Sequence, residues 1–230
     1  MPVLYHHTMS SASRFIRLVL AEYGLPVDLS EEQPWEMRKD FIKLNPAGTL
    51  PVLVDDNMRV LCGPMVISEF LDETSGVLKR DKRLLAEDPF QRAEIRRLTE
   101  WFLVKMESDV TKPLVRERIF KLQMPPTLGG GAPDSKILRM ARGNIRQHLK
   151  YISWLAGSRS YLAGSRLSYA DLAAAAALSE LDYLGEITWA EAPQARDWYQ
   201  RIKSRPSFRP LLSERVRGVT PVSHYADLDF

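Results

Sequence analysis

An α/β unit followed by an all-helical half is the fold class that this 230-residue sequence predicts. Three observations carry it. Short apolar runs of strand length alternate with helix-period segments as far as Leu78, and only the helical period recurs after Asp88. The run Lys79-Arg80-Asp81-Lys82-Arg83 separates the two patterns. The turn residues of Asn45-Pro46-Ala47-Gly48-Thr49-Leu50-Pro51 fall just before a strand pair, inside the first pattern.

In order, Val3 to His6 is a short apolar start that suits a buried strand. From Ser10 the period changes: Phe15, Ile16, Val19, Leu20 and Tyr23 fall on one helical face, with Gly24 as the stop. Pro26 to Ser30 reads as a second strand, and Trp35 to Leu44 as a short helix closed by Asn45-Pro46. Residues 52–54 and 59–61 straddle Asp55-Asp56-Asn57 as a hairpin. Pro64 then suits the first turn of a helix whose apolar face is Val66, Ile67, Phe70 and Leu71.

In the second half, Phe90, Ile95, Leu98, Trp101, Phe102 and Met106 define a long amphipathic helix that Pro113 is expected to kink or end. Leu138, Ala141, Ile145, Leu149, Ile152 and Leu155 define the next. The five alanines 173–177 leave their helix no polar face, so burial on all sides is expected. Trp198 and Ile202, then Phe208, Leu211 and Leu212, mark two short closing helices, and the tail from Gly218 has no helical period. The expected organisation is an α/β unit at 1–78, a linker at 79–87, a helical unit at 88–217 and a tail at 218–230.

Composition narrows the function classes. Hydrophobic residues at 45% and charged residues at 27% suit an ordinary globular core. A net charge of +3, with a pI near 9.0, is too weak to argue for nucleic acid but permits an acidic protein partner. The single cysteine, Cys62, excludes an internal disulfide and a Cys-x-x-Cys redox pair. The start Met-Pro-Val-Leu-Tyr lacks signal-peptide regions, and the apolar run near Leu172 falls far short of the ~20 residues of a membrane span. A cytoplasmic location is expected. His6 and His7 are adjacent on a strand, point to opposite faces and cannot share a metal, so no metal is expected. Gly129-Gly130-Gly131 lacks the Gly-Lys-Ser/Thr of a P-loop, and no Gly-x-Ser-x-Gly elbow occurs.

Leu4-Tyr5, the helix from Arg14 to Gly24, Asn45-Pro46-x-Gly-x-Leu-Pro-Val-Leu and Ser168-x-x-Asp171 stand in the order and spacing of the cytosolic glutathione transferase superfamily, which the chain resembles over about residues 2–215. The resemblance implies a thioredoxin-like N-terminal domain, a glutathione-transferase-type helical bundle and a homodimer with the two domain types packed crosswise. Pro51 matches the family's cis-proline; an ordinary trans proline at a strand start is the competing reading. Ser168 and Asp171 resemble an N-cap and its return partner, a pair that concerns folding.

A glutathione transferase must stabilise a thiolate, by a hydroxyl donor and a helix N-terminus, and hold a tripeptide with two carboxylates. By resemblance Ser10 aligns with the catalytic serine of the serine classes, Ser11 is a second candidate, and Ala12 falls where other classes have cysteine. Equally, Ser10 or Ser11 serves only to cap the helix. In the family an acid followed by Ser or Thr opens the third helix and binds the γ-glutamyl end. Here those positions are Gly63 and Pro64. Losing charge-assisted hydrogen bonds of roughly 1.5–3 kcal/mol each would weaken glutathione by orders of magnitude. Leu50, Pro51, Gly63 and Pro64 are therefore a remnant of a glutathione site.

Within the superfamily the chain is similar to the glutathione-transferase-like division proteins of alphaproteobacteria. The likeness lies in its length, the start from Ser10 to Arg14, the Gly63-Pro64 departure and the acidic-aromatic tail. That resemblance implies a non-catalytic homodimer that binds FtsZ polymers and bridges or bends them, with no cofactor. The alternative is a transferase that takes glutathione, with Ser10 activating the thiol. Candidate partner residues are Trp35, Arg38, Arg116, Arg118 and Lys121, with Tyr225, Asp227, Leu228, Asp229 and Phe230 of the tail. The basic residues are either a solvated face or a surface for an acidic partner, and the tail either docks on its own bundle or reaches out.

Overall fold

The computed structural model describes residues 1–229. The first half is β1 (Val3–His6), α1 (Ser11–Tyr23), β2 (Asp28–Glu31), α2 (Lys39–Leu44), β3 (Val52–Val54), β4 (Val60–Cys62) and α3 (Pro64–Leu71). The sheet order is β2-β1-β3-β4. β1 and β2 are parallel, the arrangement that requires a crossover, and α1 supplies it. β3 runs antiparallel to both β1 and β4, with Leu4 opposite Leu53 and Leu53 opposite Leu61. Gly24 ends α1 at φ 62°, a left-handed cap that glycine adopts without a Cβ clash.

Two local expectations shift. The second strand occupies Asp28–Glu31 rather than 26–30. The second helix begins at Lys39, not Trp35: Met37 takes φ 47°, which a right-handed helix cannot include, so Trp35 and Arg38 lie in the loop and cap before α2.

The helical half opens with α4 (Pro89–Glu100), capped by Asp88, whose carboxylate accepts from Gln91 N–H at 2.8 Å. The helical path continues to residue 123, with wide π-type turns at Trp101–Lys105, Glu107–Thr111 and Arg116–Phe120. Of the kink-or-end expectation for Pro113, the ending is overturned: the helical path runs through this residue. It sits in the first turn after a π-type segment, where the change of hydrogen-bond register accommodates a missing N–H. Phe90 is also corrected: at the start of α4 it faces solvent, 84% exposed, while Ile95, Leu98, Phe102 and Met106 enter the core. Next come α5 (Ser135–Ser158), α6 (Tyr169–Tyr183), α7 (Pro193–Lys203) and α8 (Arg209–Ser213). The segment 79–87 begins in the 3₁₀ turn Val77–Lys82 and buries Leu84 and Leu85. Among the described residues no helix is long and apolar enough to cross a membrane.

All fifteen residues of α6 are buried, as the alanine run implies. α1 packs along it, which explains why Ser11 to Leu20 are buried on every face: one side of α1 meets α3 and shares the core with Leu4 and Leu53 of the sheet, the other meets α6. Tyr169 on α6 donates to Ser68 O at 2.9 Å and meets Tyr23 OH at 3.3 Å; Tyr23 OH in turn accepts from Leu84 N–H at 3.2 Å. This relay and the paired Arg205–Glu22 contacts at 2.7 Å fasten the two halves together.

Asp171 anchors the start of α6. One carboxylate oxygen accepts from Ser168 N–H and Oγ at 3.0 and 2.8 Å, and the other from Leu162 N–H and Trp198 Nε1 at 2.8 and 3.1 Å. It thus reaches beyond a cap, joining the preceding turn and α7. Asp171→Ala would strand several buried donors at once, each worth roughly 1–3 kcal/mol. We expect it to lower the unfolding free energy by about 3 kcal/mol or more in urea titration; a loss below ~0.5 kcal/mol would contradict this role.

Candidate functional site

A cavity of about 590 Å³ opens where the N-terminus of α1, the loop before β3, the start of α3, the α4 path and α6 converge. Ser10, Ser11, Leu50, Gly63, Pro64, Trp35 and Arg116 all line it, so the serine start, most of the remnant and two partner candidates share one place. Its apolar wall includes Met9, Met65, Leu103, Val115 and Phe120.

Each serine at the helix start is already engaged. Ser10 is the N-cap of α1, at φ −138° and ψ 113°, and its Oγ accepts from Ser13 N–H at 3.3 Å. Ser11 Oγ donates to Thr111 Oγ1 at 3.2 Å. Ser13 Oγ accepts from His7 N–H at 3.3 Å. The positive end of the α1 dipole still faces the cavity beside Ser10 and Ser11.

The Leu50–Pro51 peptide is cis. Gly63 N–H donates to Pro51 O at 3.0 Å, which ties the start of α3 to the loop before β3. Gly63 lies at φ 89°, a conformation L residues rarely adopt, although a Cβ there would meet open space. Backbone geometry, not crowding, demands this glycine. Pro64 follows at the first turn of α3, so neither side-chain donor nor acceptor faces the cavity there. Cys62 lies nearby, its Sγ 3.8 Å from Leu44 O, and burial pushes its thiol pKa up, away from thiolate chemistry.

The other partner candidates divide. Trp35 is half-buried at the cavity edge, its ring 5.0 Å from that of Phe120 and 6.2 Å from that of His7. Arg116 is exposed at the mouth. Arg38 is paired with the buried Glu32. Arg118 donates to Leu184 O at 2.9 Å and, with Arg142, pairs with Glu186. Lys121 pairs at 2.6 Å with Glu117, which is buried. These three cations serve internal carboxylates.

The expectation that Tyr225 meets a partner is corrected: it is 1% exposed, its ring against Tyr183 at 5.0 Å and its OH donating to Leu211 O at 3.1 Å. The tail docks through the turn Ser223–Ala226, and Asp227, Leu228 and Asp229 then emerge exposed. Phe230 lies outside the described residues.

Sequence reasoning missed the charged floor of the cavity. Glu180, on α6, is 1% exposed, and its Oε1 has no hydrogen-bond partner. Burial pushes its pKa up to about 8; Arg14 opposes the shift and Glu107 adds to it. Glu107, half-buried on the α4 path, is likewise pushed up by burial, with Lys112 opposing. The available signal was acidic residues on a helix already expected to be buried all round.

Comparisons with known proteins agree with this architecture. Residues 9–74 match a family model described as the N-terminal domain of glutathione S-transferase, and residues 134–215 match one for its C-terminal domain. Over 99% of this chain and 97% of the relative, the sequence is 43% identical to FtsZ-localized protein A of Caulobacter vibrioides. A solved structure of a glutathione S-transferase from Sinorhizobium meliloti, 78% identical, superposes with a TM-score of 0.99 over the full length of both chains. FzlA from C. crescentus, 42% identical, superposes at 0.91 over 100% of this chain and 99% of its own.

One pH dependence follows from the strand leading into the site. His6 is buried with its Nδ1 unpartnered, and burial, with Arg17 adding, lowers its pKa to about 4 from 6.5. Above pH 6.5 the imidazole is neutral in both states and contributes no slope. Between 6.5 and about 4 only the unfolded chain takes up the proton, so stability falls as pH falls, by up to about 3 kcal/mol. Urea midpoints measured from pH 7 to 4.5 should decrease, and a His6→Gln variant should show a shallower decrease. Equal slopes in the two proteins would contradict the assignment.

Proposed function

The chain belongs to the glutathione S-transferase family, and from that premise we propose that it is a non-catalytic member that binds FtsZ polymers as a homodimer and bridges or bends them in bacterial cell division. The observation that carries the reading is the end-to-end likeness to FtsZ-localized protein A. The site supports it from the opposite direction. Where the family's acid and hydroxyl would meet the γ-glutamyl group, Gly63 and Pro64 offer neither, and the floor, lined by the carboxyls of Glu180 and Glu107, supplies no cation to a ligand carrying two carboxylates. Two equivalent surfaces on one dimer would bind along a polymer with avidity and without strong single-site affinity. Of the partner candidates, Trp35, Arg116 and the emerging Asp227, Leu228 and Asp229 remain our proposed contact residues, with Phe230, outside the described residues, kept from the sequence alone. The protein would act in the cytoplasm, at the division site.

A second reading keeps the transferase: Ser10 and Ser11 stand at the α1 N-terminus and face the cavity, where Ser10 would activate a glutathione thiol.

Co-sedimentation separates protein that pellets with FtsZ polymers from protein that does not. At micromolar concentration we expect polymer-dependent pelleting; protein confined to the supernatant would overturn the reading. Removing residues 227–230 should reduce pelleting several-fold while leaving the thermal midpoint within about 2 °C, because the docked Tyr225 is retained. Unreduced pelleting would take the tail out of the contact surface. Calorimetry with glutathione should give millimolar or weaker binding. Micromolar binding lost in Ser10→Ala would favour the transferase.

A further inference from the structure

Three carboxyl groups are buried on α6, and they are treated differently. Asp171 receives four donors. Asp182 receives Trp189 Nε1 at 3.1 Å, Tyr199 OH at 3.4 Å and Lys203 Nζ at 3.2 Å, and meets His224 Nε2 at 3.2 Å. Glu180 has an orphaned Oε1, although buried polar atoms in folded proteins are nearly always paired. The difference is position: Asp171 and Asp182 face the protein's own side chains, whereas Glu180 forms part of the cavity wall.

The surroundings of Glu180 select by charge. The second carboxyl of the cavity, Glu107, is half-buried, while the cationic lining residues Lys112 and Arg116 are exposed at the mouth. Among the lining residues the carboxyls are therefore deep and the cations shallow, and the buried Arg14 that faces Glu180 from α1 is spent on Thr8 O and Ser179 Oγ. Between them the wall is apolar, with the rings of Trp35 and Phe120 5.0 Å apart. An anionic head would find no cationic lining residue at the floor. A cationic head would give Oε1 its missing donor and place its apolar body on the rings.

We propose that this cavity is a binding site for a small organic cation, a primary ammonium on an apolar body, with Glu180 as the anchoring carboxylate and Glu107 as its second acidic group. The inference does not depend on the filament-binding reading. The groups facing Glu180 are Ser11 and Arg14 from α1 and Glu107 from the α4 path, with Lys112 acting on Glu107. With its pKa near 8, the Glu180 carboxyl is largely protonated at neutral pH while the cavity is empty, which lessens the cost of its burial. On binding, that proton leaves to solvent and the ammonium takes its place.

The full-length protein is titrated by calorimetry at pH 7.5 with phenethylamine and, separately, with its neutral isostere 2-phenylethanol. Phenethylamine should bind at least about tenfold more tightly, and Glu180→Gln should bring the two within about threefold of each other. Glu107→Gln, at a half-buried position, should weaken the amine selectively as well and serves if Glu180→Gln does not fold. Equal binding of amine and alcohol, no binding of the amine at ~10 mM, or an unchanged preference in both variants would overturn the proposal. A high-resolution crystal structure grown with phenethylamine, showing only an ordered water on Oε1, would do the same.

Discussion

Helix α6 is buried along its full length, so every polar group it carries must be answered from within the protein. Asp171 answers the turn before the helix, the helix start and α7 together. Asp182 gathers α7, the turn Trp189–Glu191 and the tail around its other end. Ser179 accepts from Arg14 Nη1 at 2.7 Å, which draws a guanidinium from α1 into the core. Placing a charge at 0% exposure is costly, and Arg14 also donates to Thr8 O at 2.8 Å and approaches Tyr225 OH at 3.5 Å. The N-terminal unit, the bundle and the tail are thus all referred to one helix.

The same geometry explains where the cavity lies. α1 cannot cover both the sheet and α6 without leaving its N-terminus at the seam, and the α4 path and the start of α3 close the remaining sides. In the family this seam faces glutathione. Here its α3 wall is backbone without side-chain acceptors, and its floor is acidic. The backbone at this wall, the cis Leu50–Pro51 bond and its bond from Gly63, is held without a side-chain hydrogen bond from Gly63 or Pro64. Fold and ligand chemistry are separable at this site because the first rests on backbone hydrogen bonds and the second on side chains.

The surface follows a related economy. Arg118, Arg142 and Lys121 are consumed by Glu186 and Glu117, which are buried or nearly so and would be destabilising if left alone. A basic count along a helix therefore overstates the charge open to a partner. The tail behaves in the same way: Tyr225 fills an aromatic niche beside Tyr183, with Lys203 Nζ 5.7 Å from its ring centroid, and Ala226 to Asp229 after it are exposed.

Much of this was legible in the sequence where the signal is local. The alternation of strand and helix, the burial of the alanine helix, the Ser168–Asp171 cap and the Gly63–Pro64 departure each depend on residues close together in the chain. Misread positions depended on context: Trp35 sits outside α2 because Met37 turns left-handed, and Pro113 stays within a helix because a π-type turn precedes it. By itself the sequence determined the fold class and the glycine and proline that open α3. Only the tertiary structure decided which charges are spent and which are open, because Arg14, Glu107 and Glu180 are brought together by the packing of α1, the α4 path and α6, across separations that no periodicity records.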